Sequence, residues 1–340
     1  MSPEPDALIC GAGVSGSYLA RLLVEGGFRV EVYDGNPLRG HRCAYISFSS
    51  LLKPILRRIG LELDDFILCH IRSLHLNGVE LEVRNMISID KPRMIEEIYP
   101  GDGVIKKNLR IPEELFRRGG EGTLTVNASS RILGAQRRIL PRQFRARASG
   151  LEAGEAYLSV KPGYGGYSWA FPLDEEGRRF HIGAGCVNAD PQPLIDRLMR
   201  SNGIRVEETI CSCGRAISVA DLSRNPEIMI HRGMVASIGE AAGAVFPMTG
   251  EGIIPSLETA NWLYESLDRG DYPQSFEAKV QGMLMEYRDA FNLCIGFLKH
   301  PRLTWLRGVG RMTERLKGRA LLNLTPVAWM RLWLKMLARG

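Results

Sequence analysis

The sequence predicts a mixed α/β (α+β) chain: a Rossmann-type nucleotide-binding domain interleaved with an antiparallel-sheet domain, plus a C-terminal helical region. Three observations predict it. The N-terminus reads strand, glycine turn, helix, strand. Asn77-Gly78 sits between two strand-like runs as a hairpin turn. A second glycine-rich turn between a strand and a helix follows more than 200 residues after the first. At 340 residues, with 45% hydrophobic and 24% charged side chains, the chain has ordinary globular composition and room for one large or two medium domains.

The opening unit is the most regular. Asp6 to Cys10 is a short apolar run ending in glycines, as a buried parallel strand does. A helical pattern through Ser17–Val24 stops at Gly26-Gly27, and Phe28–Tyr33 reads as the next strand. Between strand and helix lies Gly11-Ala12-Gly13-Val14-Ser15-Gly16. In such a fingerprint the first glycine permits the tight turn, the second lets the backbone approach a pyrophosphate, and the third lets helix and strand pack closely. The helix start, with Val14 and Ser15, supplies N–H groups and positive dipole for the phosphates. Asp34, 18 residues past Gly16 and followed by Gly35, is placed to accept hydrogen bonds from a ribose hydroxyl.

Phe66–Leu76 and Val79–Val83 flank the Asn77-Gly78 turn, and a second β-rich stretch covers about 143–187. The chain returns to a strand at Met234–Ile238, then runs through Gly239-Glu240-Ala241-Ala242-Gly243 and Thr249-Gly250-Glu251-Gly252-Ile253 into a helix ending near Leu267. Glu240 is expected to reach a ribityl hydroxyl, and the Thr249–Gly252 N–H groups to face the pyrimidine edge of a flavin. Two backbone approaches so far apart in sequence suit a long ligand, so FAD is the expected cofactor. The expected boundaries are 1–65, 88–140 and 230–270 for the FAD-binding domain, 66–87 and 141–229 for the antiparallel substrate domain, and 271–340 for the helical region.

At these motifs the chain resembles the geranylgeranyl reductase family, within the para-hydroxybenzoate hydroxylase-like FAD fold. The stretch G-E-A-A-G-A-V-F-P-M-T-G-E-G-I is similar to that family's flavin motif. Tyr167-Ser168-Trp169-Ala170-Phe171-Pro172, followed by Gly183-Ala184-Gly185, is similar to its Y-x-W-x-F-P…G-x-G signature. Asp90-Lys91 stands where relatives carry an acid–arginine pair. The likeness covers about residues 6–267. Glu240 replaces the usual aspartate, Asn127-Ala128-Ser129 stands where relatives have an acid-led turn, and the stretch before Thr125 is shortened.

The resemblance implies reduction of isolated carbon–carbon double bonds in isoprenoid chains by hydride from reduced flavin. Tyr167, Trp169 and Phe171 then line a dry apolar slot, or are ordinary sheet core. Cys43 is implied to relay a proton near the isoalloxazine, although a lone cysteine is more often a small buried hydrophobe. Arg42, Cys43 and Ala44 are expected at the cofactor, with His41 and Arg42 able to meet a phosphate. Cys211 and Cys213 fall on one face of a strand, so a plain buried face is favoured over a redox pair. His181 and His231 are isolated from other ligand types, and no metal is expected.

The alternatives are an aromatic monooxygenase of the same fold and a non-catalytic flavin electron carrier at the membrane. The expected substrate is an isoprenoid lipid or prenylated quinone. The electron donor stays open among ferredoxin, NAD(P)H and a deazaflavin, as no second nucleotide fingerprint is present.

Charge separates the tail from the body. Of the net +6, residues 301–340 carry nine basic side chains against Glu314 alone, interleaved with Trp305, Trp329 and Trp333, so the first 300 residues sum to −2. A basic, tryptophan-containing helix suits a membrane interface, and peripheral membrane contact combined with a helical cap is expected. No apolar run is long enough to span a bilayer. No basic face in the body favours nucleic acid. Seven scattered cysteines without a Cys-x-x-Cys pair, and an acidic N-terminus, point to the cytoplasm.

Overall fold

The computed structural model of the chain describes residues 4–35, 44–101, 104–107, 116, 122–161, 165–187, 189–223 and 230–299. The opening unit forms as its residues dictate. Strand β1 (Ala7–Cys10) leads through the glycine turn into α1 (Val14–Glu25) and on to β2 (Val30–Tyr33). Gly27, at φ +83°, lets the chain leave α1 at a conformation that a side chain would strain. Strand β3 (Ile46–Phe48), α2 (Ser49–Arg57) and a 3₁₀ turn (Leu63–Phe66) follow.

The hairpin is β4 (Ile67–Leu76) and β5 (Val79–Ile89), joined by Asn77 and Gly78 at φ 50° and 75°. Paired positive φ values are what a two-residue turn needs to match strand twist, which is why Asn-Gly marks it in the sequence. Helix α3 (Lys91–Ile98) is capped by the Asp90 carboxylate, which accepts from the Arg93 N–H at 3.2 Å. Next come β6 (Val104–Lys107), β7 (Leu124–Asn127), β8 (Gln136–Ser149), β9 (Glu155–Lys161), β10 (Gly166–Pro172) and β11 (Arg179–Cys186). Helix α4 (Gln192–Asn202), β12 (Arg205–Cys213), β13 (Ile217–Ala220), β14 (His231–Arg232) and β15 (Val235–Ser237) precede a 3₁₀ turn at Gly239–Ala242. Two long helices, α5 (Ile253–Asp268) and α6 (Gln274–Lys299), complete the described chain.

Among the described residues the strands form two sheets. Six run in the order β14-β15-β7-β1-β2-β6, parallel except for the β14–β15 edge pair. Nine form the second sheet, in the order β12-β8-β11-β10-β9-β4-β5-β3 with β13 on the early part of β8. This sheet is antiparallel except for β4 against β9. The chain crosses between the sheets between β2 and β3, after β5, between β7 and β8, and after β13.

Two expectations about boundaries need correction. Residues 46–48 fall in the segment 1–65 assigned to the nucleotide-binding part, yet β3 pairs with Met86–Ser88 at the edge of the second sheet. The region 271–340 is expected as a separate helical region, with the cap and membrane contact falling on residues 301–340. Its described portion, α6, instead buries Phe276, Val280, Leu284 and Tyr287 in the same core as Leu19 and Leu23 of α1 and Leu257 and Leu263 of α5. Residues 301–340, with the basic tryptophan-rich tail, lie outside the described residues.

The second sheet has two apolar faces. One holds Ala170, Phe180 and Ile182 against Leu194, Ile195 and Leu198 of α4. The other holds Ile71, Leu74, Trp169 and Phe171, covered by Ala44, Ile46 and Phe48. No helix among the described residues is long and apolar enough to cross a membrane.

Candidate functional site

The two glycine-rich loops meet in space. Gly239, at φ +61°, lies against α1 so tightly that a Cβ there would stand 2.5 Å from Ser15 Oγ and 3.3 Å from Ser256 Oγ. Its N–H donates to Thr259 Oγ1 of α5 at 2.9 Å. The start of α1, the 3₁₀ turn and the first turns of α5 therefore share one packed seam.

The three fingerprint glycines have separate reasons to be glycine. A Cβ on Gly16 would run into the Gly11 carbonyl oxygen, so Gly16 permits the close packing of helix on turn. Gly11, at φ +107°, faces Ala128, whose carbonyl oxygen would be 2.7 Å from an added Cβ. The Asn127–Ser129 turn makes that close approach. Asn127 Oδ1 accepts from Ser129 Oγ at 2.6 Å, and Asn127 Nδ2 donates to the Arg131 carbonyl at 3.1 Å. Gly13 differs from both: an added Cβ would have nothing within 4 Å among the described residues. Packing does not require glycine there. Open space beside the Ncap of α1, which has no side-chain cap, is what a phosphate group needs. Asp34 Oδ2 accepts from the Ala12 N–H at 3.3 Å, placing the acid at the rim of this turn beside exposed Gly35. Val14 and Ser15 are buried. Turn, helix start and rim acid together fit a dinucleotide.

The second loop is more self-contained than its sequence suggests. Two of the N–H groups expected to face a flavin are engaged within the loop: Gly250 donates to the Phe246 carbonyl at 2.9 Å and Glu251 to Thr249 Oγ1 at 3.2 Å. The Glu251 carboxylate accepts from the Ile254 N–H at 3.0 Å and so caps α5, whose Ncap is Gly252 and whose first residue, Ile253, is buried. Glu240 points to neither α1 nor open space. Its carboxylate is paired with Arg215 and accepts from the Ser218 N–H at 2.7 Å, with 16% of the side chain exposed. Burial pushes its pKa up, against the pull of Arg215, Ser218 and Lys91.

The aromatic signature is a ladder on one face of β10. Tyr167, Trp169 and Phe171 follow one another with ring centroids 5.6 and 6.3 Å apart. Register explains the glycines of the signature: Trp169 pairs with Gly183 and Tyr167 with Gly185 across the sheet. A Cβ on Gly183 would lie 2.7 Å from Trp169 Cζ2 and 2.6 Å from Gln143 Cβ, so the indole occupies the room that glycine leaves. Trp169 and Phe171 are core residues, 6% and 7% exposed. Tyr167 is half-buried and donates through its hydroxyl to the Thr249 carbonyl, tying the end of the ladder to the second loop. The aromatic face and the cofactor-type loop are thus directly joined.

Cys43, Arg42 and His41 lie outside the described residues, as do Pro162–Tyr164. Ala44 packs beside Trp169 and Phe171. Next to it, Tyr45 adopts φ +66° and stacks under Arg145, whose guanidinium carbon is 4.4 Å from the ring centroid and whose Nη2 donates to the Tyr45 hydroxyl. A bulky residue at positive φ marks a position that its surroundings hold in place. Nothing in the local sequence announces it. Arg215, Ser218 and Thr259, which anchor the second loop, also escaped sequence reading because their partners are 20 to 25 residues away.

Cys211 and Cys213 pair in register with Arg145 and Gln143, both half-buried on one face, as alternation predicts; Gln143 Nε2 donates to Cys213 Sγ at 3.4 Å. His75, Glu80 and Glu155 converge from three strands on the other side of the hairpin. His75 Nε2 and the Tyr157 hydroxyl both bond Glu155 Oε2, at 2.8 and 2.7 Å, so hydrogen bonds internal to the sheet engage His75 and Glu155.

No family model matches the chain. Over 98 residues it is 33% identical to an uncharacterised protein of Methanocaldococcus jannaschii, a match spanning 27% of this chain and 27% of that one. Over 62 residues it is 40% identical to 6-hydroxynicotinate 3-monooxygenase of Pseudomonas fluorescens, spanning 18% of this chain and 16% of the enzyme. The chain thus spans 27% and 16% of the lengths of the two curated relatives. Among solved structures it is similar to a geranylgeranyl bacteriochlorophyll reductase-like protein from Thermoplasma acidophilum, at 16% identity and a TM-score of 0.66, covering 96% of this chain and 95% of that one. It is also similar to a flavin-dependent brominase, at 14% identity and a TM-score of 0.63, covering 99% and 100%. A Pseudomonas aeruginosa protein described as an FAD-dependent monooxygenase matches at 18% identity and a TM-score of 0.56, covering 86% and 96%. At these identities the likeness speaks for the fold. The chain has the FAD-dependent flavoprotein oxidoreductase fold that geranylgeranyl reductase-like proteins share with flavin-dependent monooxygenases.

Proposed function

We propose that this chain is an FAD-dependent oxidoreductase that saturates carbon–carbon double bonds of isoprenoid chains carried on a lipid or quinone. The observation that carries the reading is the join between Tyr167 and the Thr249 carbonyl, which sets an apolar aromatic face against the cofactor-type loop. Gly11, Gly13, Val14, Ser15 and Gly16 take the pyrophosphate, with Asp34 and Gly35 at the ribose. Gly239 and the Gly250–Ile253 turn shape the far end of the cofactor site, and Arg42, Cys43 and Ala44 border the ring.

Bound and reduced, FAD supplies a hydride. The chain's own part is to exclude water and hold the alkene. An isolated double bond offers no polar handle, so orientation in a dry slot is what the protein contributes. Tyr167 gives the slot its edge, Trp169 and Phe171 make it rigid from behind, and Cys43 carries a proton toward the second carbon. Peripheral contact through residues 301–340 gives a lipid substrate a route to the slot, and the donor is ferredoxin, NAD(P)H or a deazaflavin.

A second reading, an aromatic monooxygenase, is favoured by the 62-residue likeness to 6-hydroxynicotinate 3-monooxygenase. One experiment separates the two. Photoreduced holoprotein is mixed with geranylgeranyl lipid without oxygen, or with a phenol and oxygen. A mass gain of two hydrogens per double bond supports the reductase. Persistent reduced flavin with every prenyl substrate, and hydroxylated phenol in air, would sink it.

A further inference from the structure

The departure at residue 240 has a structural use. Glu240 stands where two passages of the chain between the sheets come close to the second sheet's β13. Arg215 lies in the link from β12 to β13 and Ser218 in β13 itself. Ser218 Oγ donates onward to the Ser130 carbonyl, in the link from β7 to β8, at 3.2 Å. Lys91, the first residue of α3 just after β5, faces the same carboxylate and favours its charge. One methylene more than aspartate gives Glu240 the reach to bond two groups on a neighbouring segment while its own backbone stays in the Gly239–Ala242 turn.

We propose that Glu240 is a positioning residue that clamps the cofactor loop to the second sheet, at the turn from β12 into β13, through Arg215 and Ser218, instead of holding the cofactor's sugar. The clamp and the Tyr167–Thr249 bond are two ties between the same pair of bodies. Together they set the height of the aromatic ladder over the loop. The inference rests on the FAD reading for its link to function, but the clamp itself is a property of the chain.

The electrostatics give the clamp a signature. A buried carboxylate that loses its one close cation is left uncompensated, whereas the neutral amide isostere is not. Arg215→Gln therefore raises the pKa of Glu240 further. The penalty is small below the carboxylate's ordinary pKa and grows as pH rises, because the ionised form becomes the costly one. Among the described residues Arg215 and Lys91 are the charged groups facing Glu240, so removing Arg215 leaves Lys91 as the remaining cation of the two.

The test uses the full-length holoprotein and its FAD-stripped form, with R215Q, E240Q, R215K and the double variant R215Q/E240Q. Melting midpoints are read at pH 5 and pH 8, and FAD dissociation constants by flavin fluorescence. R215Q is expected to lower the midpoint by several degrees more at pH 8 than at pH 5. Adding E240Q should remove that pH dependence, and R215K should retain most of the stability. FAD affinity should fall by a similar factor, about three- to tenfold, in R215Q and E240Q, with the double variant no worse than either. If E240Q weakens FAD while R215Q leaves it unchanged, Glu240 is a direct sugar contact and the proposal fails. It fails equally if melting in R215Q is independent of pH. A chain that takes up no FAD refutes the cofactor reading, while the melting cycle still decides the clamp.

Discussion

The two loops that open α1 and α5 look alike in sequence and differ in what they leave undone. The first is stripped of side chains at Gly13, where none of the described residues approaches, and its helix start carries no side-chain cap. The second closes on itself. Glu251 caps its helix, Thr249 and Phe246 take its N–H groups, and Glu240 turns outward to Arg215. One loop leaves its helix start uncapped. The other closes its N–H groups on itself and uses the Glu240 side chain to reach the second sheet.

The largest expected effect tests the packing half of that comparison. Gly16→Ala drives a Cβ into the Gly11 carbonyl, with no flexible side chain to yield, and should cost about 4 kcal/mol or more in urea unfolding. A variant of near-normal stability would show that the turn is looser than the geometry implies. The cross-strand counterpart comes next. Gly183→Ala pushes against Trp169 Cζ2 and Gln143 Cβ and should destabilise by about 1–3 kcal/mol, with a red-shifted tryptophan emission as the indole loosens. Unchanged emission would mean that the ladder does not depend on that glycine.

Gly13→Ala isolates the ligand half. The added methyl meets no atom of the described residues, so stability should stay within about 0.5 kcal/mol of the parent while FAD affinity falls roughly tenfold, read by fluorescence titration. Equal affinity would place the phosphates elsewhere. The smallest effect concerns how the two helices are held at their far ends. Glu265 anchors α5 through Arg58 and Lys279, each at 2.8 Å, with Asn261 also donating. Burial raises its pKa, but these donors outweigh it and bring the carboxyl down to about 2 from 4.5. Because the folded pKa is depressed, the stabilisation is present above about pH 4.5 and is lost as pH falls toward 2. Glu265→Gln should therefore cost about 1 kcal/mol at pH 7, discounted for solvent screening, and most of that difference should be gone at pH 2. A gap that persists at pH 2 would assign the loss to packing.

How much was legible in the sequence follows from the range of each interaction. Asn77-Gly78 announced its hairpin because a two-residue turn depends on its own φ angles. The glycine fingerprint announced α1 for the same reason. Strand β3 was hidden: three residues whose partners lie 38 to 42 positions ahead carry no local signal. Helix α6 had the right periodicity, but nothing nearby told a core face from one meant for a membrane.

The sequence by itself therefore determined the turns, the strand-to-helix starts and the aromatic–glycine alternation, since those depend on neighbouring residues and on backbone sterics. Only the tertiary structure decided that Gly13 faces open space while Gly16 is pinned. It also decided that Trp169 sits on Gly183, and that Glu240 serves the seam between the sheets. Each of those depends on which distant segment arrives within van der Waals or hydrogen-bond reach, and chain order alone does not encode that distance.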